Sequence, residues 1–147
     1  MRDVSFEPRN NAWNNAPSYS NAGQTNYPYT KLYSAINTAS LILKAIDGGL
    51  KINEGADNDM VKAFAKFNQG VAYGYLALMY DKTFIVDEKV TVEDKLEAAS
   101  NYKLVAAASI KYLDEAIALS SGSFTIPAAW LGTSSAYSSA DFKSLCN

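Results

Sequence analysis

Residues 60–80, MVKAFAKFNQGVAYGYLALMY, read as one helix that carries two glycines, Gly70 and Gly74, in its interior. An interior glycine costs a helix about 1 kcal/mol relative to alanine. A chain tolerates that cost where a neighbouring helix must approach closely. Met60, Phe64, Phe67, Val71, Tyr75 and Leu78 recur at helical spacing as one apolar stripe. Ala63, Gly70, Gly74 and Ala77 form a second stripe of small residues beside it. The pattern predicts a helix over about 59–80, buried on two sides, with the small stripe as a packing surface.

The flanking segments supply helices to pack there. Leu32, Ile36, Ala39, Leu43 and Ile46 make one apolar face of a first helix. Tyr29 or Thr30 opens it, and Gly48-Gly49 closes it, because glycine takes the left-handed C-terminal conformation without strain. The loop INEGADND follows, with Gly55 at a turn and Asp57 or Asn58 as the next N-cap. A third helix is predicted to open on a capping box of Thr91 and Asp94. Ala99, Tyr102, Ala106, Ile110, Leu113 and Ile117 are its expected apolar face. SFTIPAAWLG, broken by Pro127, reads as a loop, and Ser138 or Ser139 caps a final helical turn. The expected fold class is all-α: antiparallel helical hairpins over 29–147 in a single helical domain, preceded by an irregular arm over 1–28. The last helix meets the chain end early, as in a fragment of a larger protein.

Composition narrows the function. With 48% apolar and 19% charged residues, the 147-residue chain is a globular one. A net charge of −2 and no basic run argue against a nucleic-acid partner. The first ten residues, MRDVSFEPRN, show no export signal and no lipobox cysteine. Without histidine there is no Ser-His-Asp or Cys-His catalysis and no imidazole metal ligand. Phosphate-loop and dinucleotide glycine motifs are missing too. Asp57, Asn58 and Asp59 suit helix capping better than calcium, since Val61 stands at the next ligand place. No two carboxylates are marked as a catalytic pair. The expectation is a protein without enzymatic activity, cofactor or metal, and the lone Cys146 reads as a small terminal hydrophobe.

What remains is the leading arm, NNAWNNAPSYSNAGQTNYPY, with six asparagines, one tryptophan, three tyrosines and no charge. A flat aromatic ring covers the C–H face of a sugar, and an asparagine amide offers two donors and an acceptor to its hydroxyls. Trp13, Asn14, Asn15, Tyr19 and Tyr27 are the candidate ligand-binding residues, with Tyr29 beside them. The same rings also suit packing against helices, and asparagine with Pro17, Gly23 and Pro28 is ordinary turn chemistry. Packing is the expectation for Tyr29, Tyr33 and Trp130; the arm keeps both readings.

The stretch KAFAKFNQGVAYGYLALMYDKTFIVDE resembles the helix and following loop of the SusD/RagB family of outer-membrane nutrient-binding lipoproteins. YLDEAIAL resembles that family's next helix, and YTKLYSAINTASLIL its preceding one, with Ser40 where the family pattern has asparagine. FTIPAAWL and the serine-rich turn into DFKSLCN are in keeping with it. The resemblance implies a tetratricopeptide-like helical scaffold at the outer surface of the outer membrane. It implies oligosaccharide or another nutrient as ligand, a TonB-dependent transporter as partner, and a glycan site to which Trp13, Asn14 and Asn15 contribute. The alternative is a helical-repeat module that binds protein and no glycan.

Overall fold

A computed structural model describes residues 22–90 and 98–147 together with Ser18. Three long helices form the body: α1 (Ala22–Asp47), α2 (Asn58–Met79) and α3 (Tyr102–Leu119). Two short antiparallel ladders tie the connections: β1 (Lys82–Thr83) with β2 (Ser100–Asn101), and β3 (Thr125–Ile126) with β4 (Tyr137–Ser138). The short helix α4 (Ala128–Leu131) and the terminal helix α5 (Ser139–Cys146) complete the chain. The predominantly helical class expected from the sequence is what forms.

Several termini follow local chemistry. At the end of α1 the Leu50 amide donates to the Ala45 carbonyl and the Gly49 amide to that of Ile46, both 3.0 Å. Gly49 has φ of +104° at that turn. This is the glycine-closed helix end that Gly48-Gly49 predicted. The other end differs. The helix begins at Ala22 and runs through Pro28, so residues 22–28 are helical and not part of an irregular arm. Proline there removes one hydrogen bond, but its fixed φ already matches a helix.

The entrance to α3 also differs. Its N-cap is Asn101, whose Oδ1 accepts from the amides of Lys103 (3.1 Å) and Leu104 (3.2 Å). Ala99 precedes the helix, because pairing of Lys82 with Asn101 and Thr83 with Ser100 holds this segment extended. Thr91 and Asp94 lie outside the described residues. At α2 the Asp57 side chain makes no capping bond; Asn58 Oδ1 instead accepts from the Ile52 amide at 2.9 Å and ties back the loop. The expected loop over FTI contains the two-residue β3 ahead of Pro127. Ser138 does cap α5, its Oγ accepting from the Asp141 amide at 3.2 Å.

Packing centres on α2, which lies antiparallel between α1 and α3. On the α3 side, a β-carbon added at Gly70 would stand 2.7 Å from Leu113 Cγ, and one at Gly74 3.2 Å from Ser109 Oγ. Ser109 Oγ donates to the Gly70 carbonyl at 2.7 Å across the same seam. The small stripe is therefore the α2–α3 contact, as its glycines require. The large stripe behaves differently from expectation. Phe64 and Phe67 pack against Phe142 of α5, but Tyr75 is 56% and Leu78 84% exposed. Buried in their place are Ala65, which clusters with Ala39 and Leu43 of α1, and Ala72, Tyr73 and Leu76, which cluster with Ile36 of α1 and with Val105 and Tyr112 of α3. Helix α3 is likewise turned by one residue: Val105, Ser109, Tyr112 and Ala116 are buried, while Tyr102 is half-exposed and Ile110 62% exposed. Both helices carry apolar residues on more than one face, so hydrophobicity alone did not select the buried one. On α1, Ile36, Ala39, Leu43 and Ile46 are all buried as expected, and Leu41 and Ile42 lie exposed on a second apolar face.

Candidate functional site

Of the candidate ligand residues, Trp13, Asn14, Asn15 and Tyr19 lie outside the described residues. Tyr27 lies in the second turn of α1, 53% exposed, with the Lys31 ammonium 5.4 Å from its ring centroid. One turn apart on the helix, the cation holds the ring while leaving it open to solvent. Tyr29 takes the packing role: its ring lies 4.6 Å from Tyr33 and 5.1 Å, edge-on, from Tyr80. The structure thus divides these tyrosines into one presented ring and one packed cluster.

Behind that cluster runs a strap, residues 81–90, laid back across all three helices. Tyr33 of α1 donates its hydroxyl to the Phe84 carbonyl at 2.6 Å. Tyr73 of α2 donates to the Val86 carbonyl at 2.5 Å and accepts from the Val86 amide at 2.8 Å. Tyr112 of α3 donates to Asp87 Oδ2 at 3.3 Å and stacks on Tyr73, centroids 5.5 Å apart. Burial pushes the Tyr73 hydroxyl up to about 12 and drives those of Tyr33 and Tyr112 higher still. All three remain neutral donors at any ordinary pH.

One charged group sits under the strap. Lys66, on α2, has its Nζ 2.8 Å from Glu88 and 2.7 Å from Glu115, and 5.0 Å from the Tyr112 ring centroid. Burial acts to lower its pKa, but the hydrogen bonds to the two carboxylates win and raise it. Burial likewise acts to raise the Glu88 carboxyl, and Lys66 overrides it and holds the group below its ordinary range. Gln69 Nε2 bridges from Ser40 Oγ (2.9 Å) to Glu88 Oε2 (3.3 Å). A carboxylate only accepts, so the amide must present its NH2 end, which leaves buried Oε1 without a partner among the described residues. These residues were absent from the sequence candidates. Their signal was the run Lys66, Gln69, Tyr73, which places polar groups at one helical stripe of an otherwise apolar segment. The ammonium is held by two carboxylates, one of them on the strap, so the cluster fastens the strap to α2 and α3.

A second feature is concave. A groove of ≈ 980 Å³ runs between α1 and α2, walled by Ala35, Leu41, Ile42, Ala45, Val61 and Phe64. Trp130 of α4 stands at its rim, 41% exposed, its ring 5.0 Å from Phe64. The indole packs on Phe64, as expected for it, and remains partly exposed. No group of three or more metal-ligating residues occurs among the described residues. No described helix is long and apolar enough to cross a membrane. No protein-family profile, curated protein or solved structure matches this chain.

Proposed function

We propose that this chain is the helical, tetratricopeptide-like portion of a SusD/RagB-like protein. In this reading it is non-catalytic, holds an oligosaccharide or another nutrient at the outer surface of the outer membrane, and delivers it to a TonB-dependent transporter. One observation supports it above the others. The segment that carries the resemblance, residues 62–88, packs as one unit, a helix whose exit strap turns back and is tied down by its own Tyr73 and Lys66. The resembling segment over 112–119 contributes Tyr112 and Glu115 to the same unit. Ser40, at the family's asparagine place, still makes a polar bond there, to Gln69. Tyr27, the candidate ligand residue that lies among the described ones, presents an exposed ring.

The test is affinity electrophoresis through gels containing neutral polysaccharides. The parent chain is expected to be retarded by at least one of them. Trp13→Ala and Tyr27→Ala variants keep its helical circular dichroism and lose retardation. A parent that migrates freely in every gel removes the glycan reading for this chain. A second reading, a helical module that binds protein only, draws on the groove. Its wall is apolar, and a sugar's hydroxyls would find few partners on it. In that case the gels show no retardation and groove variants alter protein association.

A further inference from the structure

Along α1, the groove is walled by Ser34 and Ala35, then Thr38, then Leu41 and Ile42, then Ala45. These steps of three and four are the spacing by which one helix seats another. From Lys31 to Ala45 the wall is about 21 Å long at 1.5 Å per residue, ample for a helix and long for a compact ligand. Its two halves differ in size. Ser34, Ala35 and Thr38 are small, whereas Leu41 and Ile42 are large, and Leu41 is 60% exposed.

We propose that the occupant is α1 of a second copy of this chain, antiparallel, with the two-fold axis passing beside Thr38. In that register Leu41 of each copy lies over Ala35 of the other, and Ile42 over Ser34, so large meets small twice by symmetry. A parallel arrangement would set Leu41 against Leu41 and leave the small half empty. Thr38, on the axis, brings no unpaired donor into the contact, because its hydroxyl already bonds the Ser34 carbonyl at 2.9 Å. Leu50 and Trp130, both substantially exposed at the rim, are covered by the second copy. The proposal concerns the groove alone and stands or falls separately from the glycan reading.

Sedimentation velocity over a concentration series should show the parent as two chains. Leu41→Glu should reduce it to one chain with unchanged circular dichroism, since the side chain is 60% exposed and lies outside the buried core. Thr38→Cys in a Cys146→Ala background should form an interchain disulfide on mild oxidation, because residues beside the axis bring their α-carbons within reach. Asn37→Cys, exposed but about 100° around the helix, should not. A parent that is monomeric throughout the series overturns the proposal. So does a dimer that persists in Leu41→Glu, or one that crosslinks as readily through Asn37→Cys.

Discussion

Gly70 and Leu113 approach so closely that a β-carbon at position 70 would stand 2.7 Å from Leu113 Cγ and 2.8 Å from its Cδ2. Real side chains do not meet at that distance. Gly70→Ala should therefore force α2 and α3 apart. Overpacking costs about 1–3 kcal/mol, which outweighs the roughly 1 kcal/mol gained in helix propensity. Gly74→Ala meets only a hydroxyl at 3.2 Å and should be near neutral. Urea melts of both variants check this. Adding Leu113→Ala should restore part of the Gly70→Ala loss, and no restoration would mean the contact is not the cause.

Lys66 and Glu88 are both about nine-tenths buried, and Lys66 keeps Glu115 at 2.7 Å when Glu88 is replaced. Glu88→Gln is expected to destabilise the fold by about 1–3 kcal/mol, the scale for losing a charge-assisted hydrogen bond. The pH dependence follows from the sign of the Glu88 shift. Its folded pKa lies below the ordinary 4.5, so its contribution is complete above that value and fades as pH falls through the folded pKa. Lys66 is shifted upward, so its contribution is complete below its ordinary 10.5 and fades only as pH rises through a still higher folded value. Stability measured between neutral pH and about pH 3 should thus decline more shallowly in Glu88→Gln than in the parent.

The Tyr73 hydroxyl satisfies both backbone groups of Val86. Tyr73→Phe keeps the ring and its stacking on Tyr112 but leaves the part-buried N–H and C=O of Val86 without this partner. A loss of about 1–3 kcal/mol is expected. Hydrogen exchange locates it: the Val86 amide should lose protection first, while amides in the middle of α3 change little. Uniform loss throughout would contradict a tie that acts locally on the strap.

Cys146 is buried against Phe142 and Ala116, and burial pushes its thiol up to about 11. The native protein should react with an aromatic disulfide reagent far more slowly than the urea-unfolded chain, by an order of magnitude or more. Equal rates in both states would place the thiol at the surface.

Much of the fold was legible in the residues. The stripe of Ile36, Ala39, Leu43 and Ile46 identified the buried side of α1, Gly48-Gly49 its end, and Ser138 or Ser139 the start of α5. Gly70 and Gly74 announced a close neighbour before any neighbour was known. The failures occur where a local cue had a rival. Pro28 reads as a breaker, yet the second turn of a helix accommodates it. Asn101 caps α3 with nothing beside it in the sequence to prefer it to Thr91, because β1, brought from beyond α2, is what extends the preceding segment. On α2 and α3, apolar residues lie on several faces; α2 buried those that meet α1 and α3, and α3 buried those that meet α2 and α5.

The candidate site divides along the same line. An uncharged, aromatic stretch with Tyr27 among its candidates can be read from composition; that Tyr27 sits exposed on α1 cannot. The tie of Lys66 to Glu88 and Glu115 cannot, for its members are 22 and 49 positions from the lysine and meet only when two helices and a strap converge. Residue order alone determined that helices form, where glycine permits close approach, and which chemistries are absent. Tertiary structure decided which faces are buried and which charges meet, because helical period is a property of adjacent residues, whereas burial depends on what the rest of the chain brings alongside.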